Sequence, residues 1–352
     1  METKRIKIED NQNIKEDQLL EAAYILQQGG LVAFPTETVY GLGANALDEE
    51  AAGKIYAAKG RPSDNPLIAH VADMEAVEAL TACIPEAGRK LMEAYWPGPL
   101  TLVFPKSAMV PYKTTGGLET VAIRMPSDPV AQRLIALAGI PIAAPSANTS
   151  GRPSPTTAEH VYQDMNGKIE MIVDGGPVGI GLESTIVDVS GAIPTMLRPG
   201  AITIEMLRKT LGQVEIDPAI LGPMKEGIKP KAPGMKYRHY APRAELLLVE
   251  SMDMEKVVQT ILELTEEKLR LGCSVGVICT EETKDRYPKG IVRSLGMRAK
   301  ETTIAHNLFA VLREYDDLDV DYIFSESFSK AELGQAIMNR LTKAAGYHIL
   351  KV

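Results

Sequence analysis

Residues 120–126 read TVAIRMP, and whether this stretch is a buried strand decides the kind of fold the chain adopts. Alternation puts Thr120, Ala122 and Arg124 on one face and Val121, Ile123 and Met125 on the other. The second face is wholly apolar, so the segment reads as a strand against a core, with an arginine on the opposite sheet face. An unpaired buried charge costs several kcal/mol, so Arg124 needs either an internal carboxylate or a ligand anion.

The same rhythm extends in both directions. LVAFP (31–35), PLIAHV (66–71), LTLVFP (100–105), IPIAAP (140–145), EMIVDGG (170–176), STIVDV (184–189) and PTMLRPG (194–200) are short β-branched or apolar runs alternating with loops rich in Pro, Gly, Ser, Thr and Asn. With TVAIRMP they suggest one large sheet. Helical patterns interleave them at 16–30, 48–60, 85–96, 128–139 and 154–165, with Gly29 and Gly60 as stops. A mixed α/β domain of this kind carries ligands in the loops at its strand ends.

Periodicity fails from Val214 to Arg243, which reads as an ordered or semi-ordered linker. Beyond it AELLLVE (244–250), a helix from Asp253 to Leu271, SVGVICT (274–280), GIVRSLG (290–296), a helix over 303–315, DYIFSES (321–327) and a helix over 331–346 alternate strand with helix. That order predicts a small parallel βαβ domain. A chain of 352 residues fits about two domains.

Composition narrows the function. The chain is 45% hydrophobic and 24% charged, and no apolar run approaches the ~18 residues of a membrane span. A net charge of −8 argues against a surface that attracts nucleic acid overall, so any bound anion must meet a local cationic cluster. Cys83, Cys273 and Cys279 lack CxxC spacing and read as buried free thiols. The opening residues lack the apolar core of a signal peptide, and a cytoplasmic location is expected. There is no GxxxxGK[ST], and GGPVGIGLES does not fit GxGxxG between strand and helix.

Three residue pairs share an i, i+2 spacing: Lys59 with Arg61 in KGRPSDNPL, Ser146 with Asn148 in APSANTSG, and Thr36 with Thr38 in FPTETVYGLG. In extended backbone that spacing turns both side chains one way, so each pair can grip one ligand. Lys59 and Arg61 fit equally well as solvated charges complementing a helix dipole. His70 alternates with apolar neighbours, as a satisfied core histidine does, and turn chemistry accounts for Asp174 and Asp188. No carboxylate pair has the pattern of a metal cage, so Mg²⁺ is expected to arrive on a polyphosphate. KPKAPGMKYRHYAPR (229–243) holds five basic residues and no acidic one. It reads as a solvated tether, as a strap over a phosphate-rich ligand, or as a weak site for single-stranded RNA.

Taken together and in order, FPTETVYGLG, KGRPSDNPL, WPGPLT, TVAIRMP, APSANTSGRPSPT, ESTIVD and LRPG resemble the YrdC-like threonylcarbamoyl-AMP synthases, and APGMKYRHYAPR with the second domain resembles the longer two-domain form. The resemblance implies a twisted mixed α/β sheet with a deep concave site over 14–204, a linker strap over that site at 205–243, and a Rossmann-like domain at 244–352. It implies a nucleotidyltransferase joining L-threonine, bicarbonate and ATP into threonylcarbamoyl-AMP and pyrophosphate. The product would then pass to a tRNA threonylcarbamoyltransferase that modifies the adenosine next to the anticodon.

By the same resemblance Lys59, Arg61, Ser146 and Asn148 form the catalytic signature. Thr38, His70, Arg124, Ala144 and Ser184 line the threonine site. Arg61, Asn65, Thr120, Ser146, Ser154, Arg198 and Tyr237 hold ATP. Mg²⁺ enters on the ATP phosphates, and no tightly bound cofactor or membrane contact is expected. Lys59→Ala and Arg124→Ala are expected to abolish turnover with the fold intact.

Overall fold

The computed structural model describes residues 2–11, 13–220, 222, 230–233 and 240–352. It contains two compact units, one of residues 1–150, 154–179 and 183–237, the other of 151–153, 180–182 and 238–352.

The first unit runs β1 (Lys4–Lys7), α1 (Asp17–Gln27), β2 (Val32–Phe34), β3 (Gly41–Asn45), α2 (Glu49–Lys59), β4 (Ile68–His70), α3 (Met74–Leu80), α4 (Glu86–Tyr95), β5 (Leu100–Pro105), α5 (Tyr112–Thr115), β6 (Thr120–Arg124), α6 (Pro129–Ala138), β7 (Ile142–Ala143), α7 (Ala158–Met165), β8 (Met171–Asp174), β9 (Thr185–Asp188), β10 (Thr195–Arg198), α8 (Ile204–Leu211) and β11 (Glu215–Ile216). Its strands form one mixed sheet in the order β1-β8-β2-β3-β7-β4-β6-β5-β9-β10-β11. The eight expected strands are all present. The sequence reading missed β1, β3 and β11, the last inside the stretch read as aperiodic linker.

Local chemistry sets the element ends. The Asp48 side chain accepts from the Glu50 and Ala51 amides to start α2, and Gly60, at φ 62°, closes it in the left-handed conformation that glycine adopts without strain. Asp128, Thr157 and Thr203 cap α6, α7 and α8 in the same way.

Apolar residues of α1 and α6 pack with Val32, Phe34, Ile142, Ala144, Met171 and Val173 on one face of the sheet. Farther along, Ile68, Val103, Ala122, Ile186 and Leu197 form a separate patch that packs on Ala232 of the linker and on Ala219. The site lies beside that patch: His70 follows Ile68 by two residues, and Arg124 follows Ala122 by two, so each shares its neighbour's face.

The second unit carries β12 (Glu245–Glu250), α9 (Met254–Arg270), β13 (Val275–Cys279), β14 (Ile291–Ser294), α10 (Glu301–Asp317), β15 (Tyr322–Glu326), α11 (Glu332–Ala344) and β16 (Ile349–Lys351). All four strand pairings are parallel, in the order β14-β13-β15-β12-β16, as the alternation of strand and helix predicts. At the carboxyl end of β15 the fully buried Glu326 accepts from Thr283 Oγ1, Tyr287 OH and Arg298 Nη2. That network ties together the segments following β13, β14 and β15. Cys279 is buried, as expected, but Cys83 is exposed, and all three thiols are free. Among the described residues no helix is long and apolar enough to cross a membrane.

Candidate active site

The ladder of β4, β6 and β5 places His70 opposite Arg124 in a parallel pair and Thr101 opposite Arg124 in an antiparallel one. Arg124 is 4% exposed, so the side chain that alternation put on the sheet face is buried there. Its Nε donates to the Gly98 carbonyl at 3.3 Å and its Nη1 to Thr38 Oγ1 at 2.8 Å. Its Nη2 lies 2.7 Å from Glu37 Oε2.

The sequence left open whether Arg124 meets an internal carboxylate or a ligand; within the chain, that carboxylate is Glu37. Burial acts to raise the Glu37 carboxyl, but the charge of Arg124 and hydrogen bonding outweigh it and hold the group below the ordinary carboxylate range. His70 is 3% exposed, and burial, with the Arg124 charge behind it, pushes the ring down to about 3. Nδ1 of the neutral ring lies 3.1 Å from the Ile68 carbonyl, and the Ile142 carbonyl is a second main-chain partner of the ring.

Lys59 joins the Ser146–Asn148 pair, and the Thr36–Thr38 and Lys59–Arg61 pairs do not take the extended geometry the spacing suggested. Thr36 and Thr38 sit in a turn: Thr36 Oγ1 accepts from the Thr38 and Val39 amides, donates to the Val39 carbonyl and lies 2.8 Å from Thr38 Oγ1. Lys59 and Arg61 flank the left-handed Gly60 and therefore diverge. Lys59, 2% exposed, sends its ammonium to the Ser146 and Asn148 carbonyls and approaches Asn148 Oδ1 at 3.5 Å.

Arg61 instead donates from Nε to the Asn65 carbonyl and from Nη2 to the Pro66 carbonyl, closing its own turn. Ser146 Oγ donates to Asn148 Oδ1 at 2.5 Å. The KxR and SxN segments, 87 to 89 residues apart, are thus one unit joined through Lys59.

Ala144 is buried, its amide donating to the Ile68 carbonyl beside His70. Ser184 Oγ lies 2.7 Å from Thr101 Oγ1 and accepts from Arg198 Nη2 at 3.1 Å, and Arg198 Nε donates to the Ser184 carbonyl. Ser154 Oγ donates to Glu183 Oε1 at 2.5 Å. Thr120 begins β6 at intermediate exposure. Asn65 is buried with Oδ1 unpartnered, which suits a polar ligand. Tyr237, with Lys229, Lys236 and Arg238 of the strap, lies outside the described residues.

Sequence reasoning passed over four residues that hold this arrangement. Glu37 lies within a quoted motif, and Glu183 opens another. Thr101, fully buried, is a hydroxyl in an otherwise apolar strand. Gly116, at φ 63°, packs against the KGRPSDNPL turn, where an added Cβ would lie 3.0 Å from the Asp64 carbonyl oxygen and 3.1 Å from the Pro66 nitrogen.

Known proteins give an independent view. The family described as "Telomere recombination", Sua5/YciO/YrdC, matches residues 24–200, and "Threonylcarbamoyl-AMP synthase, C-terminal domain" matches 202–346. The chain is 48% identical over 354 residues, all of both chains, to the threonylcarbamoyl-AMP synthase of Bacillus subtilis. It is 51% identical to that of Pyrococcus abyssi, covering 97% of this chain and 98% of the relative. The crystal structure of P. abyssi Sua5 complexed with L-threonine superposes with a TM-score of 0.93 at 49% identity, covering 99% of each chain.

Proposed function

The chain belongs to the Sua5/YciO/YrdC family, in the two-domain threonylcarbamoyl-AMP synthase form, and on that premise we propose how its site joins L-threonine, bicarbonate and ATP into threonylcarbamoyl-AMP and pyrophosphate. The observation that best supports the reading is the gathering of residues spread from Thr38 to Arg198 around one sheet face and its bordering turns, with guanidinium groups from three separate segments.

The reaction brings together an amino-acid carboxylate, bicarbonate and a triphosphate, all anionic. Arg124 takes the threonine carboxylate, beside Thr38, Ala144 and Ser184. Neutral His70 lines the amino-acid side. Arg61, Asn65, Thr120, Ser146, Ser154, Arg198 and Tyr237 hold ATP, whose phosphates bring Mg²⁺ as part of the substrate. The threonine amine forms its N–C bond with bicarbonate and water is lost. A carbamate oxygen then attacks the α-phosphorus, and the α–β P–O bond breaks as pyrophosphate leaves.

Lys59 works through the turn it clasps, fixing Ser146 and Asn148 at the reacting phosphate while adding positive charge. Each charge-assisted hydrogen bond to a ligand anion contributes about 1.5–3 kcal/mol, so catalysis is chiefly positioning and neutralisation. The labile mixed anhydride passes to a tRNA-modifying transferase in the cytoplasm.

Incubation of the full chain with ATP, bicarbonate and L-threonine should release pyrophosphate and yield threonylcarbamoyl-AMP by mass spectrometry. Pyrophosphate release that does not depend on threonine would refute this reading.

A further inference from the structure

Glu37 stands between the two turn threonines, in contact with the guanidinium that the proposed function gives to the substrate. Its Oε1 accepts from the Ser127 amide at 3.1 Å, so the carboxylate is anchored by main chain. Its Oε2 lies 2.7 Å from Arg124 Nη2, an ion pair in which neither atom forms an aligned hydrogen bond. A guanidinium has five N–H donors in a rigid fork. In Arg124, Nε is committed to Gly98 and one Nη1 hydrogen to Thr38. Three Nη hydrogens remain, and with Glu37 Oε2 set against Nη2 one is left on each Nη nitrogen, the side-by-side pair that a carboxylate accepts in bidentate fashion.

We propose that Glu37 is a positioning residue, which holds the Arg124 guanidinium so that its remaining Nη hydrogens meet the α-carboxylate of the amino acid, and so sets the preference for an amino acid over analogues that lack the carboxylate. The inference rests on the assignment of Arg124 to the threonine carboxylate. Three fixed points, the Gly98 carbonyl, Thr38 and Glu37, leave the guanidinium plane little freedom. Removing the third lets the plane rotate about the other two. A counter-ion that only stabilised the fold would affect every ligand alike; a positioning carboxylate affects the ligand group that Arg124 reads.

Calorimetric titration of the full chain with L-threonine and with L-threonine amide separates these cases. Wild type should bind threonine at least about tenfold more tightly than the amide. Glu37→Gln, matched in size, should lose about tenfold in threonine affinity and little in amide affinity, with ATP affinity held within about twofold. Glu37→Asp keeps the charge one methylene short, should give an intermediate ratio, and carries the test if the glutamine variant does not fold. Equal binding of threonine and amide by wild type overturns the Arg124 assignment and this inference with it. A wild-type ratio retained in both variants overturns the role of Glu37 alone. Equal losses for threonine, amide and ATP reduce Glu37 to a structural counter-ion and equally overturn it.

Discussion

Lys59→Met removes the ammonium of Lys59 but keeps most of its volume. Methionine fills similar space without a donor, so the partners of Lys59 lose their hydrogen bonds. Those partners include the Ser146 and Asn148 carbonyls. A buried polar group stripped of its partner costs about 1–3 kcal/mol, so two carbonyls together cost about 4 kcal/mol. Relief from burying an ammonium offsets part of this, about 1–2 kcal/mol, leaving a net loss of about 2–3 kcal/mol.

For a unit of this size 1 kcal/mol moves Tm by about 2–4 °C, so the melting point of the first unit should fall by about 4–12 °C. Turnover should fall at least about 100-fold, because the Ser146–Asn148 turn is no longer held at the reacting atoms. The check pairs calorimetric melting with threonine-dependent pyrophosphate release. The burial of Lys59 thus revises the sequence-based expectation that Lys59→Ala leaves the fold untouched. Lost turnover with Tm within about 1 °C of wild type would refute the reasoning and return Lys59 to a purely ligand-facing role.

Two further outcomes follow from the geometry. Gly116→Ala places a Cβ against the Asp64 carbonyl at a positive φ, so the turn carrying Arg61 and Asn65 must shift; KM for ATP should rise several-fold, and an unchanged value in a folded variant would contradict that support. For His70, burial and then the Arg124 charge hold the ring at about 3, so the folded site stays neutral while the unfolded chain takes up a proton below about pH 6.5. Stability should therefore drop as pH falls from 6.5 toward 3, by up to about 1.4 kcal/mol per pH unit from this group, and its NMR ring signals should not titrate between pH 8 and 5. A midpoint near 6.5 would show that the ring is solvated.

The strands that the sequence disclosed are those whose residue types match their environment, such as β5, β6 and β9, built mainly of apolar or β-branched residues. β3 escaped because GLGAN lacks β-branched residues. Its glycines answer neighbours instead: a Cβ at Gly43 would come within 2.8 Å of both Phe34 and Ile142, contacts no local pattern reveals. β1 is a charged tetrapeptide and β11 only two residues, both at sheet edges, where alternation has little to bury.

In the site, the same contrast holds. Arg124 could be read from strand parity alone, since its face follows from its neighbours. Glu37 could not, because a turn aims it and its anchor, the Ser127 amide, is ninety residues away. The burial of Lys59 was hidden for the same reason: its partners belong to a distant loop, and local charge made it look like a solvated helix end.

The position of β8 bears on how the chain is made. It lies between β1 and β2, in parallel with both, yet it is synthesised more than 130 residues after β2. Until it emerges from the ribosome, β1 has no partner and β2 offers a bare ladder of amides and carbonyls on one side. A nascent chain stalled anywhere before Met171 therefore displays an open strand edge that a neighbouring polypeptide can pair with, and insertion of one short, late segment converts that edge into sheet interior.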